Sequence, residues 1–252
     1  MIVKDRAAQI PAAVASILAQ DMSDWELVVV DDGSHDDSAG AALLAAGSDP
    51  RVRVIPNTKA PGIPGARNAG LAQARGRYLA ICDSDDLSRT HRFSVQAAAL
   101  GDDPRLGGVG GNIQFFHQRP GDGEVPAWRW GVRRGRPPFP FPAAMFRVSA
   151  LRQVGGFDQD YPVAEDVALA YDLAAAGWGL RLMDGVMIDY RQSPDNTFSH
   201  PRRHRLTLRA QLHGVRVMRG GLSPTGYAAL VQSGWRSAAE GYRNRFSSAT
   251  TR

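Results

Sequence analysis

The chain holds one cysteine, Cys82, among its 252 residues, so no intrachain disulfide can form. A lone cysteine in the apolar stretch ahead of an acidic cluster reads as a packing residue, and the usage fits a reducing compartment. Lysine is nearly absent as well: two lysines stand beside 28 arginines. No apolar run approaches the ~20 residues a membrane-spanning helix needs, and Met1-Ile2-Val3-Lys4-Asp5 does not open like a secretory signal. The expectation is a cytoplasmic protein. Acidic residues are scarce in one place only. Residues 200–252 carry ten arginines and a single acid, Glu240, a balance of +9, whereas the other 199 residues carry 20 basic and 24 acidic groups, or −4, giving the net +5. Such asymmetry points to an anionic partner, although an arginine-rich proteome produces the same bias. No nucleic-acid motif accompanies it, so nucleic acid is not the expected partner.

What the chain does have is an apolar strand that ends on acids, twice. Tyr78-Leu79-Ala80-Ile81-Cys82 runs into Asp83-Ser84-Asp85-Asp86, and Glu26-Leu27-Val28-Val29-Val30 runs into Asp31-Asp32-Gly33-Ser34. Clustered carboxylates repel unless a cation or donors compensate them. In open α/β sheets the carboxyl ends of strands are where ligands bind. A hard divalent ion carrying a diphosphate would account for both facts. An acidic turn capping the next helix is the plainer alternative for the first cluster, and a turn-forming Asp32 for the second.

Between these strands lies Gly62-Ile63-Pro64-Gly65-Ala66-Arg67-Asn68-Ala69-Gly70, and downstream come Val154-Gly155-Gly156-Phe157-Asp158 and Glu165-Asp166. In this order and spacing, over roughly residues 1–191, the chain resembles the family 2 glycosyltransferases of the GT-A fold. The resemblance implies an α/β architecture: a Rossmann-like, mostly parallel mixed sheet flanked by helices, with a C-terminal helical extension over 192–252. It implies an inverting, metal-dependent transfer of sugar from a nucleoside-diphosphate donor to a cell-envelope, exopolysaccharide or lipid-linked acceptor. It also assigns roles. Asp85 binds Mg2+ or Mn2+; Asp83 takes the ribose or a metal-bound water; Asp32 accepts the imide N–H of a uracil or thymine base; Arg67 sits against base or phosphates. Asp166 is the base that activates the acceptor hydroxyl, and Glu165 binds the acceptor. Asp36 and Asp37 are expected to cap the next helix. Trp128, Trp130 and Trp178 suit either sugar stacking or core packing.

Alternation of apolar and helix-compatible stretches in the first half predicts parallel strands with right-handed crossovers. Helices are expected near 11–20, 36–46, 65–74, 89–100, 149–153 and 165–176, with strands near 26–30, 52–55, 78–82, 109–116, 144–147, 180–183 and 186–191. Residues 118–142 read as a long loop near the site. In the tail, helices near 201–218 and 224–244 are expected. In the first of them Leu208, Leu212 and Val215 form an apolar face, and Arg202, Arg205, Arg209 and Arg216 a basic one, suited to peripheral docking on the inner membrane face.

Two departures from the family stand out. Its first strand of about five apolar residues is reduced here to Met1-Ile2-Val3, so a truncated first strand from a misplaced start codon is expected. Relatives also carry Tyr-Arg-x-His after the last core strand, where this chain has Tyr190-Arg191-Gln192-Ser193; His200 is the nearest substitute. These losses keep a catalytically inactive GT-A scaffold in play. A sugar-nucleotide pyrophosphorylase, another enzyme of this layout, lacks support because its glycine-rich N-terminal signature is missing.

Overall fold

The computed structural model describes residues 1–116, 138–192 and 203–217. Two sheets carry the molecule. The first is wholly parallel: β1 (Ile2–Val3), β2 (Leu27–Asp31) and β3 (Val52–Pro56) lie side by side in that order. The second is mixed, in the order β4 (Tyr78–Ala80), β7 (Ala144–Arg147), β6 (Leu106–Phe116), β8 (Gly179–Arg191) and β5 (Leu87–Ser88). Only β6 and β8 run parallel there. A bridge from Ile2 to Asp83 joins the two sheets. The expected α/β architecture is therefore observed, and the parallel character belongs to the first half.

The first helix forms where its apolar spacing dictates. In α1 (Ile10–Leu18), Ile10, Ala13, Val14 and Ile17 are buried at the i, i+3, i+4, i+7 spacing of one helical face, and Pro11 sits in the first turn, where its missing N–H costs nothing. α2 (Ser38–Ala46) is capped by Asp37, whose carboxylate accepts from Gly40 N. Asp36 instead ties the preceding loop to Ala7 N and to Ser38. Small residues let α3 (Ile63–Gln73) approach closely: a Cβ at Gly65 would overlap the carbonyl of Ala60. α4 (Arg92–Asp102), α5 (Val148–Gln153) and α6 (Glu165–Ala175) complete the layers. The main core lies between α1, α2, α4 and the two sheets, around Ile10, Val14, Val29, Leu100 and Val109. A second core, with Phe139, Phe146, Phe157, Leu151 and Leu169, lies on the opposite side of the mixed sheet.

Several sequence expectations change in detail. The two strands expected near 180–183 and 186–191 are one strand, β8, whose register with β6 slips near Asn112. Gly185, at φ 94°, lies within that irregular stretch. β5 had no signal, because two residues are too few for an alternation. Trp178 packs beside the second core and donates to Gln153 at 3.0 Å, away from the cleft. Trp128, Trp130, His200 and the helix near 224–244 lie outside the described residues.

β1 is short but genuine. Val30 N donates to Met1 O at 2.8 Å and Asp32 N to Val3 O at 2.9 Å, in parallel register. The Met1 ammonium donates to Val28 O at 2.9 Å; it is buried, and that burial lowers its pKa. Beyond it, β2 and β4 face one another across a cavity of about 810 Å³ bordered by Leu27, Val28, Leu79, Ile81 and Phe93.

The tail helix α7 (Arg203–Val217) packs on α6 through Leu206, Ala210 and Gly214, with His213 bonded to Asp172 at 2.7 Å. Leu208 and Leu212 do not take part: each is 41% exposed and shares the outer face with Arg205 and Arg209. The apolar and basic faces expected to be separate are thus merged. Arg202 and the side chains of Val215 and Arg216 lie outside the described residues.

Candidate active site

Asp32, Arg67, Asp83, Asp85, Glu165 and Asp166 all border one cleft of about 610 Å³ at the carboxyl ends of β1, β2 and β4. Residues up to 134 positions apart in the chain are brought there by the fold alone, Asp32 by the first sheet and Asp166 by α6.

On the first sheet, Asp31 ends β2 and binds back to Ser34, accepting from its N at 2.9 Å and its Oγ at 2.7 Å. That turn leaves Asp32 facing the cleft. Its two oxygens accept from Asn57 Nδ2 at 2.6 Å and from Gly62 N at 2.9 Å, which fixes the carboxylate in place. Neither partner is charged, so the group keeps its acceptor character toward a ligand.

Asp83, Ser84, Asp85 and Asp86 follow β4. Asp83 and Asp85 remain partly open, with side chains 26% and 20% exposed. Arg67 lies 3.7 Å from Asp83, and Arg6 lies 3.8 Å from Asp85. Burial, then the neighbouring Asp83 charge, raises the pKa of Asp85. Asp86 is turned inward, accepts from Arg191 N at 2.9 Å and is pushed well above the usual carboxylate range by burial and by both neighbours. Such mutual repulsion is what a bound cation relieves. Among the described residues no group of three His, Cys, Asp or Glu side chains could hold a metal. Magnesium-type ions are commonly bound through one or two carboxylates plus substrate phosphates, and the oxygen pair Asp83/Asp85 fits that mode.

On the far wall, α6 begins with Glu165 and Asp166. The macrodipole at a helix start favours ionised carboxylates. Asp166 is half-buried and faces the cleft, its Oδ1 accepting from Val167 N at 2.9 Å. Glu165 is buried and ion-paired to Arg67. Burial nevertheless pushes its pKa up to about 7, against the pull of Arg67.

Three supporting residues were given no role from the sequence. Asn68 clamps the Gly155-Gly156-Phe157 turn, donating to Phe157 O at 2.7 Å and accepting from Phe157 N at 2.8 Å. Both glycines have positive φ, 85° and 84°, and a Cβ at Gly156 would meet the Asn68 amide. Arg92 is fully buried behind the acids and donates to Ile81 O, Ala144 O, Ser88 Oγ and Gln96 Oε1. A signal for it existed: Arg92 and Gln96 lie on the buried face of α4 with Ala99 and Leu100. Arg191 ties the last strand to the acidic loop, donating from Nε to Asp85 O at 3.0 Å.

The profile of Glycosyl transferase family 2 matches residues 1–154, more than half of the chain. The chain belongs to that family. The profile of Glycosyl transferase family group 2 matches residues 130–218 of this family 2 chain. Among curated relatives, the succinoglycan biosynthesis protein ExoO of Rhizobium meliloti is 52% identical over 81 residues, covering 32% of this chain and 23% of the relative. The UDP-Glc:alpha-D-GlcNAc-diphosphoundecaprenol beta-1,3-glucosyltransferase WfgD of Escherichia coli is 37% identical over 91 residues, covering 36% of this chain and 35% of the relative. These matches thus span about a quarter to a third of those relatives' length. Among solved structures, the mannosyltransferase PcManGT from Pyrobaculum calidifontis, in complex with GDP-Man and Mn2+, aligns with TM-score 0.67 at 24% identity, over 92% of this chain and 66% of that one. S. aureus TarS 1-349 with UDP-GlcNAc aligns with TM-score 0.66 at 16% identity, over 92% and 69%. At such identities the likeness establishes the GT-A fold of the family 2 chain.

Proposed function

We propose that this family 2 chain carries the catalytic part of a glycosyltransferase. It would move a sugar from a nucleoside-diphosphate donor to a polysaccharide or lipid-linked acceptor, with inversion and with Mg2+ or Mn2+. One observation carries the reading: Asp83, Asp85 and Asp166 border the same cleft, with Arg67 beside Asp83 and Glu165. The names of relatives and neighbours support it, since they include UDP-Glc, GDP-Man and UDP-GlcNAc as sugar nucleotides and a diphosphoundecaprenol acceptor.

In this reading Asp32 binds the base and Asp83 the ribose or a metal-bound water. Asp85 would hold the cation, which when bound neutralises charge on the departing diphosphate. Asp166 takes the proton from the acceptor hydroxyl as that oxygen bonds to the anomeric carbon from the face opposite the diphosphate; the carbon–oxygen bond to the diphosphate breaks and the electron pair leaves with it. The test is donor turnover across UDP-Glc, UDP-GlcNAc and GDP-Man with Mn2+. Asp85→Asn should abolish metal-dependent turnover, and Asp166→Asn should abolish transfer while donor binding persists. An intact wild type that turns over none of these favours the scaffold alternative, and transfer by Asp166→Asn within a few-fold of wild type removes Asp166 from the base role.

The exposed Arg205, Leu208, Arg209 and Leu212 suggest how such a chain would meet a lipid-linked acceptor, by docking α7 on an anionic leaflet. Among the described residues no helix is long and apolar enough to cross a membrane. Each arginine near an acidic surface contributes about 1 kcal/mol, screened by salt. Co-sedimentation with phosphatidylglycerol vesicles, lost at high salt or in Arg205→Glu/Arg209→Glu, is expected; indifference to these vesicles at low salt overturns it.

A further inference from the structure

We infer that Glu165 is a positioning residue: its buried carboxylate holds the Arg67 guanidinium at the diphosphate end of the cleft and off Asp83, and it does not bind the acceptor. This deepens the transferase reading above and rests on it.

The two acids at the start of α6 point different ways. Successive helical residues are turned by about 100° at 3.6 residues per turn. Both border the cleft, but Asp166 is half-buried, whereas Glu165 is only 6% exposed, with its carboxylate on Arg67. An acceptor sugar would have to displace an ion pair to reach it. Arg67 in turn is fixed on every side. One guanidinium nitrogen, Nη1, meets Glu165, and the other, Nη2, stands 3.7 Å from Asp83. The guanidinium carbon sits 4.9 Å from the ring centre of Phe141 and 5.7 Å from that of Phe157. These partners come from four separate parts of the chain, so the arrangement is a product of the tertiary fold.

The spacing matters. A guanidinium prefers to close on a carboxylate through two parallel hydrogen bonds. Were Arg67 to close on Asp83 in that way, it would occupy the carboxylate that the donor needs. Glu165 competes for it, and the separation of 3.7 Å lies beyond hydrogen-bond length. Asp83 therefore stays open to the donor while a fixed cation waits beside it. A charge held in place before the reaction stabilises developing charge on a leaving diphosphate without reorganising.

Calorimetric titration with UDP and with GDP, each with Mn2+, tests this alongside acceptor kinetics. Glu165→Gln should weaken binding of whichever diphosphate the wild type takes by about ten-fold or more. Arg67→Ala should do the same, and the double variant should be no worse than Arg67→Ala alone, with the acceptor KM unchanged throughout. Glu165→Asp, which keeps the charge and shortens the reach, should fall between and guards against a variant that fails to fold. Additive losses, or a raised acceptor KM with diphosphate affinity intact, overturn the inference in favour of acceptor binding. A wild type that binds neither diphosphate refutes the transferase reading itself; coupled stability of Arg67 and Glu165 in denaturant melts would then mark the pair as structural and overturn the positioning role as well.

Discussion

Arg92 offers the sharpest test of how the acidic strand end is held. Its guanidinium is fully buried and makes four hydrogen bonds: to Ile81 O at 2.7 Å, Ala144 O at 3.0 Å, and Ser88 Oγ and Gln96 Oε1 at 3.1 Å each. Asp83 and Asp86 act on it as counter-charges, while burial lowers its pKa. Arg92→Met keeps much of the volume but strips the cation from behind the acids. Removing one partner of a buried charged network costs about 3–5 kcal/mol, because the remaining groups lose their compensation. Methionine's apolar fill and the recovered desolvation of the guanidinium argue for the lower end, about 3 kcal/mol. At 2–4 °C per kcal/mol for a chain of this size, the midpoint should fall by roughly 6–12 °C. Urea and thermal melts of wild type, Arg92→Met and Arg92→Lys measure it, and Arg92→Lys should land between the other two. A loss for Arg92→Met under about 1 kcal/mol, or a gain, would mean that desolvating the guanidinium outweighs its contacts and would refute the argument.

Two further outcomes follow from the buried charges. Glu165 has its folded pKa raised from 4.5 to about 7, so the folded state binds the extra proton between those values. The stabilisation is complete below 4.5 and lost as pH rises toward 7; relative to Glu165→Gln, wild-type stability should decline across that window, and parallel pH profiles in urea would contradict it. At the amino end, Ile2 faces Asp83, and Tyr78 lies five positions before Asp83, so four residues added ahead of Met1 would carry β1 down to Tyr78. An apolar, β-branched addition should raise the melting midpoint by filling the cavity beside β2 and replacing the buried ammonium with an amide, whereas an equal midpoint for that addition and a charged one would rule this out.

The fold was legible where side-chain period and chain punctuation agree. Val28-Val29-Val30 before Asp31-Asp32, and the Ile10, Val14, Ile17 stripe, have one structural solution each, and the strands and helices of the first half lie within a few residues of expectation. The six cleft residues were legible through motif order, because their backbone settings are local: a strand end, a helix start, a glycine turn. What escaped was set by distant partners. Which way Glu165 turns depends on Arg67, 98 residues earlier, and no local pattern encodes that choice. Leu208 and Leu212 have the spacing of a buried face, yet small Ala210 and Gly214 permit the closer approach to α6 and take the contact instead. The antiparallel partners of β7 were likewise outside the reach of alternation, since β6 and β7 are buried on both faces and β4 is half-buried throughout.

The bridge from Ile2 to Asp83 between the two sheets has a consequence for cooperativity. Behind the bridge, α1 and α4 bury one continuous apolar layer that includes Val29 of the first sheet and Val109 and Met145 of the second. On the cleft side, hydrogen bonds reach across the joint beside one apolar contact: Arg67 and Asn68, both on α3, bind Glu165 and Phe157, and Leu71 of the same helix packs in the second core. The joint is thus held at the back by the apolar layer that borders the cavity between β2 and β4, and latched by hydrogen bonds in front. Packed apolar layers come apart all at once, whereas hydrogen bonds exchange singly with water. Sub-global opening should therefore begin on the cleft side, with the half that carries Asp32 loosening from the half that carries Asp83 and Asp166 while the rear layer holds. Because a ligand spanning the cleft touches both halves, it would act as a third latch and rigidify the backbone well beyond the residues it contacts.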